Sequence, residues 1–500
     1  MLEQLGQIIP TLLNLFTLQN FILMIIGIVI GFVFGIIPGL SGLVALTLLL
    51  PLIYGMDPTS ALVLLLSSHA VVTTGGSISA VLLGIPGTEP NAATIIDGFP
   101  MTQQGKGGRA LGAALMSSLL GGVFGAIVLA LLIPVLLRVA LAFKSPELFL
   151  AIVLGLLCIV VLSRGSLTKG LFAGVLGLIV SCIGFQGRSA LLRLTFDWLY
   201  LYDGIKLIPL GLGVFAIPVI IDLAAKGTTI AEVAESTKVK GAEVLEGVKD
   251  VFRHFWLFLR SSVIGAWMGI LPGVGGTVAT FIAYGQARET SKNRDQFGKG
   301  AIEGVIAPEA ANNAKEGGAL LPTLVLGLPG SGAMAILLGA FILVGLEPGP
   351  LFLVEHMDIG MSLIWTLVIA NVIAAGATLF FCGQLARIAF IKGHILAPFL
   401  LVLVIFGAYS KSNMFMDIIM VLVFGALGYG MKAFGYNRPA FLLGFILGRL
   451  TEKYFFIALA AYGPLFFLSS KICIGILVLI LLALFSDFLR KMYHKIRGNI

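Results

Sequence analysis

Residues 31–42 read GFVFGIIPGLSG, and residues 265–276 read GAWMGILPGVGG. Each residue of the first stretch stands 234 positions before its counterpart, with no gap, and four glycines and the proline coincide. A second pair follows in the same order. Residues 83–88, LGIPGT, match residues 326–331, LGLPGS, at an offset of 243. Proline lacks an N–H and breaks a helix ladder, while glycine tolerates unusual φ and lets other groups come close. Two ordered pairs of Pro-Gly breaks therefore divide the chain into two related halves, each with two interrupted helices.

The surroundings say where those helices lie. The chain has 500 residues, 58% hydrophobic and only 11% charged. A soluble domain carries about 25% charged residues, so most of this surface must face lipid. Apolar runs long enough to span a bilayer are expected at about 21–55, 60–85, 108–141, 147–163, 167–186, 205–224, 255–286, 317–346, 360–391, 395–434 (two), 438–468 and 471–489. The fold class expected is an all-α polytopic membrane protein of about twelve transmembrane elements. These form two pseudo-symmetric repeats with Pro-Gly-broken helices or hairpins.

Polar residues set the boundaries. The first 20 residues read as an interfacial amphipathic helix and show no signal-peptide pattern. The repeats then cover 21–224 and 255–468. A Lys- and Glu-rich linker, 225–254, joins them, and 469–500 hold a last span and a basic tail. Lys226, Lys238, Lys240, Lys249 and Arg253 put the linker in the cytoplasm, and Arg490, Lys491, Lys495 and Arg497 put the tail there. Arg253 and Arg260 precede the 255–286 run, and Arg288 and Lys292 follow it. That run is thus a hairpin with Pro272 and Gly273 at its tip. The 21–55 run has no Lys or Arg near it before Lys106. Its insertion from the opposite face would make the repeats inverted.

The net charge of +8 belongs to this loop bias and not to nucleic-acid binding. The four cysteines stand singly in apolar runs and read as small buried hydrophobes. No HExxH, GxSxG or P-loop is present, so catalytic classes built on them are excluded. His69, within an apolar run, reads as a packed histidine.

Unwound backbone is tolerated at membrane depth only where it is buried in protein or lines a cavity, and half-helix N-termini attract anions. The candidate substrate site is therefore Pro38, Gly39, Ser41, Gly42, Ser77, Pro86, Gly87, Thr88, Pro272, Gly273, Gly275, Gly276, Thr277, Pro329, Gly330 and Ser331. The GxxxG spacings Gly31–Gly35 and Gly265–Gly269 read as helix packing. Glu309, Asn312 and Asn313 are candidates for a coupling ion if they lie at membrane depth, or helix caps if they lie in a loop. Asp97 reads as a turn cap.

GIIPGLSG, GGSISAVLLGIPGT, DGFPMTQQGKGGRALG, GILPGVGG, FGKGAIEGVIAPEAANNA, LLPTLVLGLPGSG and GLEPGPLF together resemble the large membrane subunit of tripartite tricarboxylate transporters, the TctA family. DGIKLIPLGLGVFAIP, FGAYSKSNMFMD and NRPAFLLGFILGRLTEKYF resemble it as well. The resemblance runs from about residue 25 to 465. It implies a multi-pass protein of the bacterial inner membrane, not an enzyme, that imports an organic acid under an ion gradient. Its implied partners are a small membrane subunit and a periplasmic solute-binding protein. No cofactor is expected beyond a coupling Na+ or H+. The residues alone leave two other readings, an intramembrane enzyme and a structural or channel subunit of a membrane complex.

Overall fold

The computed structural model describes residues 2–162, 166–186, 191–225, 241–271, 275–391, 393–410 and 412–497. The expectations placed on Pro272 and Gly273, and on Lys226, Lys238 and Lys240 of the linker, lie outside them. The chain opens with α1 (Leu2–Leu15), α2 (Leu18–Ile36), α3 (Gly42–Leu49), α4 (Pro58–Leu83), α5 (Ala92–Gln103) and α6 (Gly107–Ala140). It continues with α7 (Ser145–Leu162), α8 (Leu167–Ser181), α9 (Leu207–Gly211), α10 (Ile217–Ala225) and α11 (Gly241–Arg253). Then come α12 (Phe255–Ile270), α13 (Gly275–Thr290), α14 (Glu303–Leu326), α15 (Gly332–Leu343), α16 (Phe352–Glu355) and α17 (Met357–Ala386). The last are α18 (Gly393–Ser410), α19 (Phe415–Ala433), α20 (Arg438–Tyr462) and α21 (Lys471–Arg497).

Among the described residues, seven helices are long and apolar enough to cross a membrane, and five shorter apolar helices accompany them. The chain is an all-α polytopic membrane protein with one small exception. The run expected to stay helical to 186 leaves α8 at Ser181 and forms a two-stranded antiparallel hairpin, Gly184–Phe185 with Leu192–Arg193. Two compact units result, and they are not the two sequence halves. One comprises 1–137 and 208–429, the other 138–207 and 430–500. In the second unit α8 and α20 pack through glycines, with Gly177 against the Phe441 carbonyl and Gly444 against that of Gly174. Arg193 there holds Glu452 through two nitrogens, at 3.0 and 2.8 Å.

In the first unit the Pro-Gly motifs end helices for local reasons. A residue before proline is forced toward extended backbone. Ile37 and Leu271, each before a proline, close α2 and α12 at φ −77, ψ 112 and φ −78, ψ 116. α4 and α14 close on left-handed glycines, Gly84 at φ +68 and Gly327 at φ +67. The next N–H turns back in each case, from Ile85 to the Ser79 carbonyl and from Leu328 to that of Pro322. The glycine's own N–H reaches the same carbonyl, so each helix closes on a left-handed stop that glycine permits.

The helices then pack through the GxxxG positions. Gly31 and Gly35 sit against the carbonyls of Ser68 and Val72 on α4, and Gly265 and Gly269 against those of Ala311 and Lys315 on α14. In both pairs residue numbers rise together, so α2 runs parallel to α4 and α12 runs parallel to α14. Their beginnings also coincide. The Ser60 hydroxyl donates to Asn20 Oδ1 at 2.7 Å, and His254 faces Glu303 at 3.9 Å. The segments 37–57 and 271–302 must therefore return to the end where α2 and α12 start. Both long broken runs fold back on themselves, the first with Pro38 and Gly39 after the end of α2.

α4 and α14 themselves cross in opposite directions. His69 meets Glu316, Thr73 meets Asn313 and Ser77 meets Glu309. Position rises along α4 as it falls along α14.

α11 is secured to the start of α6. Gly247 packs on the Arg109 carbonyl and Gly112 on that of Val244. Arg109 reaches Asp250 with Nε at 2.5 Å and Nη2 at 3.0 Å. Burial pushes the Asp250 carboxyl up, but its bonds to Arg109 and then Arg253 outweigh that and hold it below its ordinary value. A depressed carboxylate contributes stability that is present above its ordinary pKa and lost as pH falls through the folded one. Asp250→Asn is expected to cost this contact about 1–3 kcal/mol. Hydrogen exchange of residues 241–253 at neutral pH should then quicken about 5- to 100-fold. Unchanged exchange would mean that backbone packing alone holds α11.

Candidate functional site

The Pro-Gly motifs of each copy meet. Gly87 lies against the Gly35 carbonyl, and a Cβ at Gly330 would stand 2.8 Å from the Gly269 carbonyl oxygen and 2.9 Å from Ala319 Cβ. Gly87 and Gly330 thus spend their missing side chains on helix contact and leave no room for a ligand. The hydroxyls of Ser41 and Ser331 cap the next helices, accepting from Val44 N at 3.4 Å and Met334 N at 3.3 Å. Thr88 donates to Asn91 Oδ1. Pro38 and Pro329 are buried, whereas Gly39 and Pro86 are exposed. Gly39, at φ +88, and Gly275, at φ +69, have open space where a Cβ would go. Thr277 is partly buried, and its carbonyl accepts from the Thr280 hydroxyl at 2.9 Å.

Glu309, Asn312 and Asn313 do not lie in a loop. α14 begins well before the expected apolar run and is buried from Gly304 to Val325. The three are 0%, 1% and 1% exposed. Hydropathy missed this half of the helix because its polar side chains face protein, not lipid. Each then meets a different environment.

The Glu309 carboxylate accepts four hydrogen bonds from four segments. Thr94 Oγ1 (2.6 Å) and Asn91 Nδ2 (3.2 Å) donate to Oε1, and Ser77 Oγ (2.7 Å) and Ser118 Oγ (3.0 Å) donate to Oε2. None of the described residues gives it a salt bridge. Asn313 is also fully engaged. Its Oδ1 accepts from Thr73 at 2.7 Å, and its Nδ2 donates to Asn371 Oδ1 at 2.8 Å and Thr74 Oγ1 at 3.3 Å. Its Oδ1 is held by one donor and its Nδ2 by two acceptors, so it fixes α4 and α17 against α14.

Asn312 differs. Neither its Nδ2 nor its Oδ1 has a hydrogen-bond partner. Leaving a buried amide unpaired costs about 1–3 kcal/mol per group. Its Oδ1 lies 3.4 Å from the Cβ position of Gly276, whose other neighbour is Pro90 Cγ at 2.8 Å. The amide therefore points to where the first turn of α13 meets the segment after Pro86-Gly87. Thr280 fixes that meeting by donating to the Pro90 carbonyl at 3.1 Å.

Asp97 behaves as expected of a cap. Its Oδ1 accepts from the backbone N–H of Gly298, Gly300 and Ala301 at 2.8–2.9 Å, and its Oδ2 from the Tyr284 hydroxyl at 2.9 Å. Asn91, Thr94, Ser118 and Asn371 were not legible as site residues, because isolated polar residues in apolar runs carry no spacing signal. Among the described residues, no group of three or more His, Cys, Asp or Glu is placed to hold a metal ion.

Comparison with known proteins bears on what this arrangement serves. The family model for the "Tripartite tricarboxylate transporter TctA family" matches residues 21–443. An Agrobacterium vitis protein described as "Uncharacterized 52.8 kDa protein in TAR-I ttuC' 3'region" is 32% identical over 446 residues, covering 87% of this chain and 86% of that protein. A second from the same organism, "Uncharacterized protein in TAR-II ttuC' 3'region", is 36% identical over 190 residues, covering 38% of this chain and 78% of its own. No solved structure matches.

Proposed function

Because the chain belongs to the tripartite tricarboxylate transporter TctA family, a family of transporters and not of enzymes, we propose that it is the large membrane subunit of a binding-protein-dependent carboxylate importer. The single observation that carries this reading is Asn312, buried with both amide atoms free beside the N-terminus of α13. A substrate carboxylate accepts from the amide and from the first N–H groups of α13, whose dipole end favours an anion. Gly276, without a side chain, lets the start of α13 come close to Pro90 and to the amide, and Gly275 beside it borders open space.

The coupling ion, Na+ or H+, belongs at Glu309. A buried carboxylate surrounded only by neutral donors is costly, and a proton or cation relieves that cost. Asn313 holds α4 and α17 against the same stretch of α14. Inverted repeats suit alternating access. Supporting that relation, α4 and its counterpart α14 run antiparallel, as a two-fold axis in the membrane plane requires. The small membrane subunit, the periplasmic binding protein and the bacterial inner membrane follow from the family reading, and a four-helix partner gene beside this one would agree with it.

The test is uptake into proteoliposomes that contain this chain and its small partner. Citrate should accumulate only with loaded binding protein outside and an inward Na+ or H+ gradient, and collapsing the gradient should abolish accumulation. Citrate flux that ignores both would favour a channel-like subunit. Hydrolysis of lipid or peptide by the purified chain would favour an intramembrane enzyme.

A further inference from the structure

The first copy of the motif holds a histidine at the place of Asn312. His69 precedes Asn312 by 243 positions, the offset of the second motif pair. Gly42 precedes Gly276 by 234, the offset of the first. The contact repeats as well. His69 Nδ1 lies 3.6 Å from the Cβ position of Gly42, as Asn312 Oδ1 lies 3.4 Å from that of Gly276. His69 is 6% exposed, and its Nδ1 has no hydrogen-bond partner. The ring is held from behind, with Nε2 at 2.8 Å from Glu316 Oε2 and Lys315 Nζ at 2.7 Å from Glu316 Oε1. In front of it α3 begins. The Ser41 hydroxyl caps Val44 N, which leaves the N–H groups of Gly42 and Leu43 without an intrahelical acceptor.

We propose that His69 Nδ1 and the N-terminus of α3 form a second carboxylate subsite, and that a carboxylate bound there brings one proton onto His69. The proposal rests on the reading of the chain as a carboxylate carrier. The proton follows from counting hydrogens. Glu316, paired with Lys315, is an acceptor, so Nε2 carries a hydrogen. A neutral imidazole has only one N–H, and Nδ1 is then a lone pair. A lone pair repels a carboxylate oxygen. The anion is held only when Nδ1 also carries a hydrogen, which makes the ring an imidazolium between two carboxylates. The proton comes from water, and no other bond changes. Lys315 and Glu316 cancel, and the imidazolium cancels the charge of the one carboxylate bound here, so this subsite is left without net charge.

Among the described residues of the elements packed on α4, no other ionisable group takes this role, and Glu89, in the turn after Gly87, is exposed. α2, α3 and α15 carry none, and His69 is the only one on α4. On α14, Glu309 is tied to Ser77 two turns along α4, and Glu303 lies at the far end beside His254. On α5, Asp97 is tied to the 298–301 turn, and Asp358 stands in the first turn of α17. Asn312 offers a fixed amide. The part of the pH sensitivity that disappears in His69→Asn therefore belongs to His69, and any part that stays belongs to Glu309.

The experiment is isothermal titration of citrate into the purified full-length chain, in buffers of different ionisation enthalpy. A range of about pH 7 to 8.5 keeps the carboxylates of citrate ionised, so that proton uptake on binding is not uptake by citrate. The wild type should take up about one proton per citrate, with affinity falling up to about tenfold per pH unit. His69→Asn, which places the amide of the other copy here, should bring proton uptake near zero and flatten the pH slope. It should still bind within about tenfold of wild type at the upper pH. His69→Gln serves the same purpose if His69→Asn does not fold. Citrate binding without proton uptake in the wild type, or an unchanged slope in the folded variants, would overturn the proposal while leaving the carrier reading intact. No binding of citrate, succinate or acetate by the wild type would overturn both.

Discussion

Glu309→Gln is expected to abolish concentrative uptake while leaving substrate exchange in place. The carboxylate already receives two donors on each oxygen. In the variant the amide oxygen can keep Thr94 and Asn91, and the new NH2 can face the hydroxyl oxygens of Ser77 and Ser118, which rotate to accept. Size, shape and hydrogen bonds survive, so the chain should insert and fold. What is lost is the ability to alternate between a charged and a neutralised carboxyl, and with it the link to the ion gradient. The accumulation ratio should fall by about 100-fold, roughly 2.7 kcal/mol of coupling. Counterflow of labelled citrate, which needs no net ion movement, should continue. Glu309→Ala is a different experiment. It strands four buried donors and should cost stability, on the order of 3–5 kcal/mol, visible as a lower unfolding temperature. A wild-type accumulation ratio in Glu309→Gln would remove Glu309 from the coupling mechanism.

Asn312→Ala should weaken citrate binding about 10- to 100-fold, because a hydrogen bond to a charged partner is worth about 1.5–3 kcal/mol. The stability readout separates a ligand-binding amide from a structural one. A structural asparagine loses its partners on truncation, and the protein melts earlier. This amide has none to lose, so the unfolding temperature should hold or rise. Gly276→Leu acts by volume. Its Cβ alone would stand 2.8 Å from Pro90 Cγ, so the remaining side chain must take the space in front of Asn312. Uptake should drop below detection at normal membrane expression. Wild-type affinity in Asn312→Ala would place the substrate elsewhere and reduce the motif at 272–276 to helix packing.

The two motif types were legible for different reasons, and they proved unequal. Ile37 and Leu271 end their helices because a proline follows, which is a nearest-neighbour rule and is therefore written in the sequence. Gly84 and Gly327 end theirs because glycine accepts a left-handed φ, which is equally local. What the glycines face is not local. Gly87 and Gly330 follow a proline just as Gly39 does, yet the first two are pressed on neighbouring carbonyls and Gly39 borders open space.

Sequence by itself determined that this chain lives in lipid, that it is helical, where its helices break and that the breaks recur in order. Each of these follows from composition or from a residue's effect on its immediate neighbours. Only the tertiary structure decided which polar residues have partners. Asn312 and Asn313 are adjacent and chemically identical, but a helix turns 100° between them. That turn sends Asn313 into Thr73, Thr74 and Asn371 and leaves Asn312 facing Gly276 without a hydrogen-bond partner. His69, an ordinary histidine in an apolar run, gains its place only because α4 and α14 cross antiparallel and set Glu316 behind it. Hydrogen-bond satisfaction depends on which helices meet and at what level, and no window of sequence contains that information.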